Sequence, residues 1–239
     1  MKYLSPLILT FIFITFTLTF SGCNNNQDVQ NPSIDCNLIM ATPLREHLGH
    51  PLSSKKALSI IESFYDIQAE DIFVTTSEWK DIKDEDIAWD DQGIHYIATI
   101  RNGELIVINV SDKKKRITAN KLIECVGHQP EWYRAIYGPR MERSGIDYYF
   151  ELWFPSAGVI SQSRGDTTRP SKLPDLTQEF AIDYIDIMLP ESPDELREKS
   201  YTAYPPFNLP SNKGTAWENT LQPRQWPGNW GEVYFVEGW

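Results

Sequence analysis

A short sequence match between two places in the chain constrains its fold more than any other feature. Residues 44–51 read LREHLGHP and residues 122–130 read LIECVGHQP, so the second copy has one extra residue before its proline. In both copies an apolar helical pattern ends at a glycine, which suits a helix terminus, and the proline blocks continuation. Because the copies begin 78 residues apart, we predict that one structural plan occurs twice.

The first copy predicts helices followed by antiparallel strands. Ser53 or Ser54 caps a second helix with apolar residues at helical spacing. Strong apolar stretches over Ile94–Ile100 and Glu104–Val110 flank an Asn-Gly turn, which is the best short hairpin signal. The residues before this hairpin include six carboxylates. We predict a solvated acidic loop, because the order of a calcium loop is missing; weak calcium binding is the alternative. These carboxylates are Asp81, Asp84, Glu85, Asp86, Asp90 and Asp91.

The second copy repeats this order. A helix over Ile117–Val126 is followed by a predicted second helix over Glu131–Tyr137. An aromatic strand, Ile146–Phe154, then turns and returns over Val159–Arg164. Further on we expect a strand over Ile182–Leu189, a short helix at Pro193–Lys199, and a final strand near the C-terminus.

These elements predict an α+β fold of two units, each with a pair of helices on one face of an antiparallel sheet. The first unit covers residues 37–116 and the second covers 117–202, while residues 203–239 form a Pro/Trp-rich crossing segment and a last strand. With Gly127–Pro130 and Tyr148–Gly158 at the helix break and the first strand, the pattern resembles the β-lactamase-inhibitor protein and the small lipoprotein of outer-membrane barrel assembly. That resemblance implies helices laid over a sheet. It does not identify a ligand, because such folds host unrelated binding roles.

The N-terminus has the parts of an export signal. Lys2 precedes an apolar run, Leu7–Phe20, which is shorter than the ~20 residues that span a membrane. Small residues then lead to a cysteine, and Phe20-Ser21-Gly22-Cys23 resembles the lipobox of bacterial lipoproteins. The resemblance implies a signal peptide at 1–22 and a lipid, such as palmitate, on Cys23. The alternatives are an ordinary signal peptide cut elsewhere and an uncleaved anchor.

A polar stretch follows the cysteine and predicts a tether over residues 23–36. More than one acyl chain would anchor the protein firmly to a membrane of the cell envelope, with the body on the extracytoplasmic side. Hydrophobic residues make up 41% of the chain, which is enough for a core. The net charge of −11 argues against nucleic acid, and we interpret the basic run Lys113–Arg116 as a solvated turn.

The remaining cysteines, Cys36 and Cys125, are either a disulfide or two buried thiols. No zinc spacing involves the four histidines, so we expect no metal site and no cofactor. No Gly-x-Ser-x-Gly elbow is present. We interpret Gly165-Asp166, within the polar stretch 163–169, as a turn, with Thr167 and Thr168 bonding back to the backbone. We therefore assign no catalytic residue. The four histidines are His47, His50, His95 and His128.

The chain has many large aromatic residues for its length. They predict a binding surface for an envelope protein or a glycan. The candidate residues are Trp132, Tyr148, Tyr149 and Trp153. The alternative is that the C-terminal tryptophans, Trp217, Trp226, Trp230 and Trp239, cover this face. The predicted function is a non-enzymatic binding or scaffold module. The alternative is an envelope hydrolase whose site combines scattered carboxylates with a histidine, for instance Glu124 with His128.

Overall fold

A computed structural model describes residues 34–139, 145–167, 173–199 and 222–237, in which ten strands form one sheet. The strands are β1 Phe73–Trp79, β2 Ile82–Asp91, β3 Ile94–Arg101, β4 Glu104–Asp112, β5 Trp132–Pro139, β6 Ile146–Phe154, β7 Val159–Thr167, β8 Tyr184–Ile187, β9 Arg224–Gln225 and β10 Val236–Glu237. The helices are α1 Cys36–Ile39, α2 Thr42–Arg45, α3 Ser54–Tyr65, α4 Ala119–Val126 and α5 Pro193–Lys199.

The strand order shows two four-stranded meanders that meet at their last strands. The order is β1-β2-β3-β4-β8-β7-β6-β5-β10, and β9 also pairs with β5. Each meander runs antiparallel throughout, and β4 pairs antiparallel with β8 at the centre, with Ile108 opposite Ile187. Equivalent strands that pair antiparallel are related by a pseudo-two-fold axis. β10 is parallel to β5.

The predicted fold class, two helix-pair-and-sheet units, is wrong. The strands of both predicted units belong to one continuous sheet, and the helices are short, from 4 to 12 residues. The helices also do not all share one face, because Leu196 of α5 packs in a cluster opposite the face that α1–α4 cover. The sequence match predicted the repetition but carried no information on pairing between the meanders.

The predicted helix over Glu131–Tyr137 is also wrong, since this stretch forms β5. Its aromatic and β-branched side chains favour a strand, and their alternation places Tyr133 and Ala135 against the helices. Trp132 and Arg134 lie on the opposite face, across from Trp153 and Glu151 of β6.

The predicted acidic loop forms β2 instead. Its charged residues alternate with Ile87 and Trp89, which are buried against the helical side. The acids find partners on β3: Asp84 accepts two hydrogen bonds from Arg101, at 2.8 and 2.9 Å, and Asp86 accepts one from Thr99 at 2.5 Å. Cross-strand partners of this kind make a charged strand stable.

A disulfide between Cys36 and Cys125 joins α1 to α4, with the Cα atoms 5.0 Å apart. α1 precedes the first meander and α4 precedes the second, so this bond links helices of both halves. The two cysteines are 89 residues apart in the sequence. For a loop of this length, the chain-entropy model predicts that the disulfide stabilises the folded state by about 4–5 kcal/mol.

Candidate binding surfaces

The four aromatic residues predicted as a binding surface do not share one exposed face. Trp132 and Trp153 are cross-strand neighbours on the face opposite α1–α4, and Tyr149 lies on that face too. Tyr148 points to the other side of the sheet, as alternation along β6 requires. Trp153 is fully buried, and the other three are half-buried.

Trp153 is buried in an apolar cluster with Ile160 and Leu196, and it also belongs to a polar network on that face. Its indole Nε1 donates to Glu151 Oε2 at 2.9 Å. The other carboxylate oxygen, Oε1, pairs with the Arg134 guanidinium and accepts from Gln162 Nε2 at 3.3 Å. All four residues are less than 5% exposed. A buried charge pair with further hydrogen bonds fixes side-chain positions, so this part of the sheet is a rigid polar core.

Tyr148 contributes to packing on the helical side. Its ring lies 5.7 Å from Phe235 and 6.4 Å from Phe180, measured between centroids. Burial raises the pKa of Tyr148. Trp226 and Trp230, with centroids 5.0 Å apart, pack against the same core, so the described part of the Trp-rich tail covers this side. Trp217 and Trp239 lie outside the described residues.

A cavity of about 220 Å³ lies beside Trp132. This volume is below the roughly 300–1,000 Å³ of pockets for drug-sized ligands. One of its walls, Trp153, has no exposed surface of its own. Its lining residues are Trp132, Trp153, Pro193, Asp194, Gln222 and Pro223.

Glu124 and His128 do not converge on a site. Glu124 pairs with Lys121 at 2.9 Å, whereas His128 contacts Ser156. Another histidine, His95, pairs with Asp90 at 2.8 Å on the sheet. Within the part of the chain that the structure describes, no three His, Cys, Asp or Glu residues are grouped to hold a metal ion.

The contact between His128 and Ser156 has a defined geometry. His128 Nδ1 lies 2.8 Å from the Gln129 carbonyl oxygen, which can only accept, so Nδ1 carries the proton. In the neutral ring, Nε2 then accepts from Ser156 Oγ at 3.2 Å. The backbone N–H of Ser156 donates to Glu131 at 2.9 Å. Both His128 and Ser156 are exposed, and sequence reasoning missed this pair because they lie 28 residues apart.

β1 forms an open edge of the sheet. Along its outer side it pairs with none of the described strands, and every residue from Phe73 to Glu78 is exposed. Phe73 is 69% exposed and Val74 is 45% exposed. Ile82, which follows on β2, is 38% exposed. Three large apolar side chains thus reach solvent at one hairpin, beside a row of backbone groups that can pair with another strand.

The opposite edge is covered by the C-terminal segment. β9 pairs antiparallel and β10 pairs parallel with β5. The Arg224 guanidinium lies between the rings of Tyr133 and Tyr234, 4.5 Å from each centroid, and donates to the Tyr234 carbonyl at 2.7 Å. Cation–π contacts on both sides hold the covering segment in place.

The predicted signal peptide and Cys23 lie outside the described residues. In the described ranges, each helix is too short or too polar to cross a membrane.

No protein-family model and no curated protein matches the sequence. Among solved structures, the chain is similar to a cysteine-rich secretory protein from Staphylococcus aureus subsp. aureus Mu50, at 9% sequence identity and a TM-score of 0.26. The match covers 65% of this chain and 50% of that one, so the chain spans about half the length of that protein. Such a TM-score does not establish a shared fold.

Proposed function

We propose that this chain is a lipid-anchored binding module of a bacterial cell envelope, which binds an extended segment of a partner protein along β1. The open edge of β1 is the observation that carries this proposal. In strand addition, backbone hydrogen bonds provide affinity and alternating side chains provide specificity. The body provides the sheet edge, and the polar residues after Cys23 connect it to the anchor.

Three features of β1 support this role. The strand is seven residues long, which is enough for several ladder hydrogen bonds. It contains no proline, no lysine and a single acid, Glu78, whereas unused edges are commonly protected by such residues or by bulges. Its pairing with β2 runs without interruption from Phe73 to Trp79, so the strand is regular and ready to accept a neighbour.

The anchor is tested by Cys23→Ser in the full-length chain. The variant is expected to lose acyl labelling and membrane association in a bacterial host, because its side chain carries no thiol to acylate. Cys36→Ser with Cys125→Ser is the matched control and keeps the label. Acyl labelling of the Cys23→Ser variant would contradict a lipid at this position.

Strand binding is tested with a nine-residue peptide that alternates valine and threonine. Fluorescence anisotropy measures its binding to the full-length chain in detergent micelles. A lysine at an edge position disfavours an added strand, so Phe73→Lys is expected to weaken binding. Gln225→Lys, at the covered edge, is the control and binds as the wild type does. Equal affinities for all three proteins would place the binding elsewhere.

An envelope hydrolase is the second candidate, and the contact of His128 with Ser156 favours it. A hydroxyl beside an oriented imidazole is the arrangement of an activated nucleophile. Opposed to this, the Ser156 N–H already donates to a carboxylate, which would repel a developing oxyanion. The test compares hydrolysis of an activated ester by the wild type and Ser156→Ala. Equal rates eliminate this candidate.

A further inference from the structure

We infer that the segment bound at β1 is basic: an extended strand with apolar residues beside the start of β1 and lysine or arginine beside its end. This inference rests on the proposed strand addition and specifies the chemistry of the partner. It combines the charge around the edge with the two exposed apolar side chains on it.

The residues around the edge are mostly acidic. Between residues 70 and 82 the chain has four acids and one base, Lys80, and all five are exposed. The acids are Glu70, Asp71, Glu78 and Asp81. Two of them precede β1, and the other two lie at its end and just after it, so negative charge flanks both ends of an added strand. A partner with positive charges near its ends therefore gains attraction.

The next strand inward is also acidic, but several of its acids already have partners on neighbouring residues. Asp84 is engaged by Arg101, and the hydrogen bond from that guanidinium lowers the pKa of Asp84. Glu85 accepts from Lys83 and from Ser54. The side chains of β2 thus stabilise the sheet. Glu78 of β1 lies opposite Lys83 and shares its charge, whereas Glu70, Asp71 and Asp81 flank the strand and add the negative charge that a partner meets.

The apolar half of the recognition comes from Phe73 and Val74, which point to opposite faces of the sheet. Phe73 lies opposite Ala88 on β2, and Ala88 lies opposite Ile97 on β3, so an apolar row reaches the edge on this face. Val74 lies opposite Ile87 on the other face. Apolar residues of the partner segment, placed beside the start of β1, would extend these rows. Basic residues of the partner would then lie beside Glu78 and Asp81.

A second copy of the chain is the less favourable occupant. Asp71 precedes β1 and Asp81 follows it, so antiparallel pairing of two copies would bring these like charges close together at both ends. The net charge of −11 adds repulsion between two copies.

The test uses three nine-residue peptides with blocked ends, in which valine alternates with lysine, with threonine or with glutamate. Anisotropy measures their binding to the full-length chain in detergent micelles at low salt. We expect the lysine peptide to bind about ten-fold more tightly than the threonine peptide, as two or three exposed ion pairs together supply. The glutamate peptide is expected to bind most weakly. Salt at 0.5 M should reduce the differences.

A charge variant ties this preference to the edge. Glu78→Gln with Asp81→Asn is expected to remove most of the lysine preference and to leave binding of the threonine peptide unchanged. Glu179→Gln, an exposed acid elsewhere, is the matched control. Equal affinity for the lysine and glutamate peptides overturns the inference and leaves strand addition standing, provided that the threonine peptide binds. If none of the peptides binds, strand addition itself is wrong. If sedimentation shows a dimer of the wild type, and Phe73→Lys abolishes it, the occupant of the edge is a second copy of the chain and the inference of a basic partner is wrong.

Discussion

The two edges of the sheet differ in the part of the chain that the structure describes: the edge at β5 is covered by other strands, and the edge at β1 is open to solvent. At β5, the C-terminal segment covers the edge with β9 and β10, and Arg224 fastens this cover between two tyrosine rings. At β1, the described residues provide no such cover, and apolar side chains reach solvent. Among the described residues, one edge is covered and the other is open, so a further strand can pair at one edge only. This difference points to β1 as the place where a partner strand binds.

The ion pairs near the two edges differ in burial. Next to the covered edge, Arg134 and Glu151 are both buried, with 1% and 0% of their side chains exposed. Next to the open edge, Lys83 and Glu85 form an ion pair whose side chains are 54% and 24% exposed. Removal of one partner of the buried pair would leave an uncompensated charge inside the protein, which strongly destabilises a fold. The exposed pair contributes little to stability. The predictions that follow use this contrast.

The largest effect is expected from Arg134→Ala, which leaves the buried carboxylate of Glu151 without its cation. The free energy of unfolding should fall by about 3–5 kcal/mol. Lys83→Ala, the matched change beside the open edge, should lower it far less, because solvent screens an exposed ion pair. Denaturation in urea measures both. Similar losses for the two variants would show that the two sides do not differ in this way.

Removal of the disulfide should have the next largest effect. Cys36→Ala with Cys125→Ala frees the unfolded chain from a long loop. The free energy of unfolding should fall by about 2–4 kcal/mol, less than the chain-entropy value of about 4–5 kcal/mol, because measured disulfide effects commonly fall below that model. Reduction of the wild type with dithiothreitol should give a similar loss in urea titrations. Because the disulfide links α1 to α4, far along the chain from β1, binding of the valine–threonine peptide should be unchanged. A parallel loss of peptide binding would contradict an edge site independent of this bond.

A smaller effect is expected at acid pH, on the side of the open edge. The hydrogen bond from Arg101 lowers the pKa of Asp84 in the folded state, so this group stabilises the fold fully above its unfolded pKa of about 3.9. The stabilisation is lost as the pH falls through the lowered folded value. Thermal melts between pH 2 and 6 should therefore show a shallower acid decline for Asp84→Asn than for the wild type. Identical slopes would exclude this contribution.

The smallest change in stability is expected for Phe73→Lys, at the open edge itself. Because 69% of Phe73 is exposed, the free energy of unfolding should change by no more than about 0.5 kcal/mol. Urea denaturation measures this change. A loss above about 2 kcal/mol would mean that Phe73 packs as part of the fold, and that its exposure does not mark a binding edge.

Some local signals in the sequence predicted local structure, while others failed: the helix signal at Glu131–Tyr137 and the turn at Gly165-Asp166 both fall on strands, β5 and β7. The Asn-Gly turn identified β3 and β4, and the aromatic run identified β6. The short helix over Pro193–Lys199 forms as its acidic first turn indicated, and Ser192 and Glu195 cap it with mutual hydrogen bonds. All these signals act within a few residues of one another.

Pairing between distant segments was not predictable in this way. β4 meets β8 across 77 residues, as in the contact of Asn109 with Asp186, and no turn signals that neighbourhood. β2 looked like a loop because the partners of its acids lie on β3. The edge position of β1 follows only from the full strand order. The sequence of a short, moderately apolar strand does not show whether it lies at an edge or in the middle of a sheet.

Amide hydrogen exchange with and without the valine–threonine peptide tests strand addition at β1 most directly. In antiparallel or parallel addition, every second backbone N–H of the edge strand gains a hydrogen-bond partner. The account predicts that the peptide slows exchange at alternate amides within Phe73–Trp79 and leaves the amides of β9 and β10 unchanged. Peptide-induced protection confined to the covered edge, or to residues around the cavity at Trp132, would contradict it.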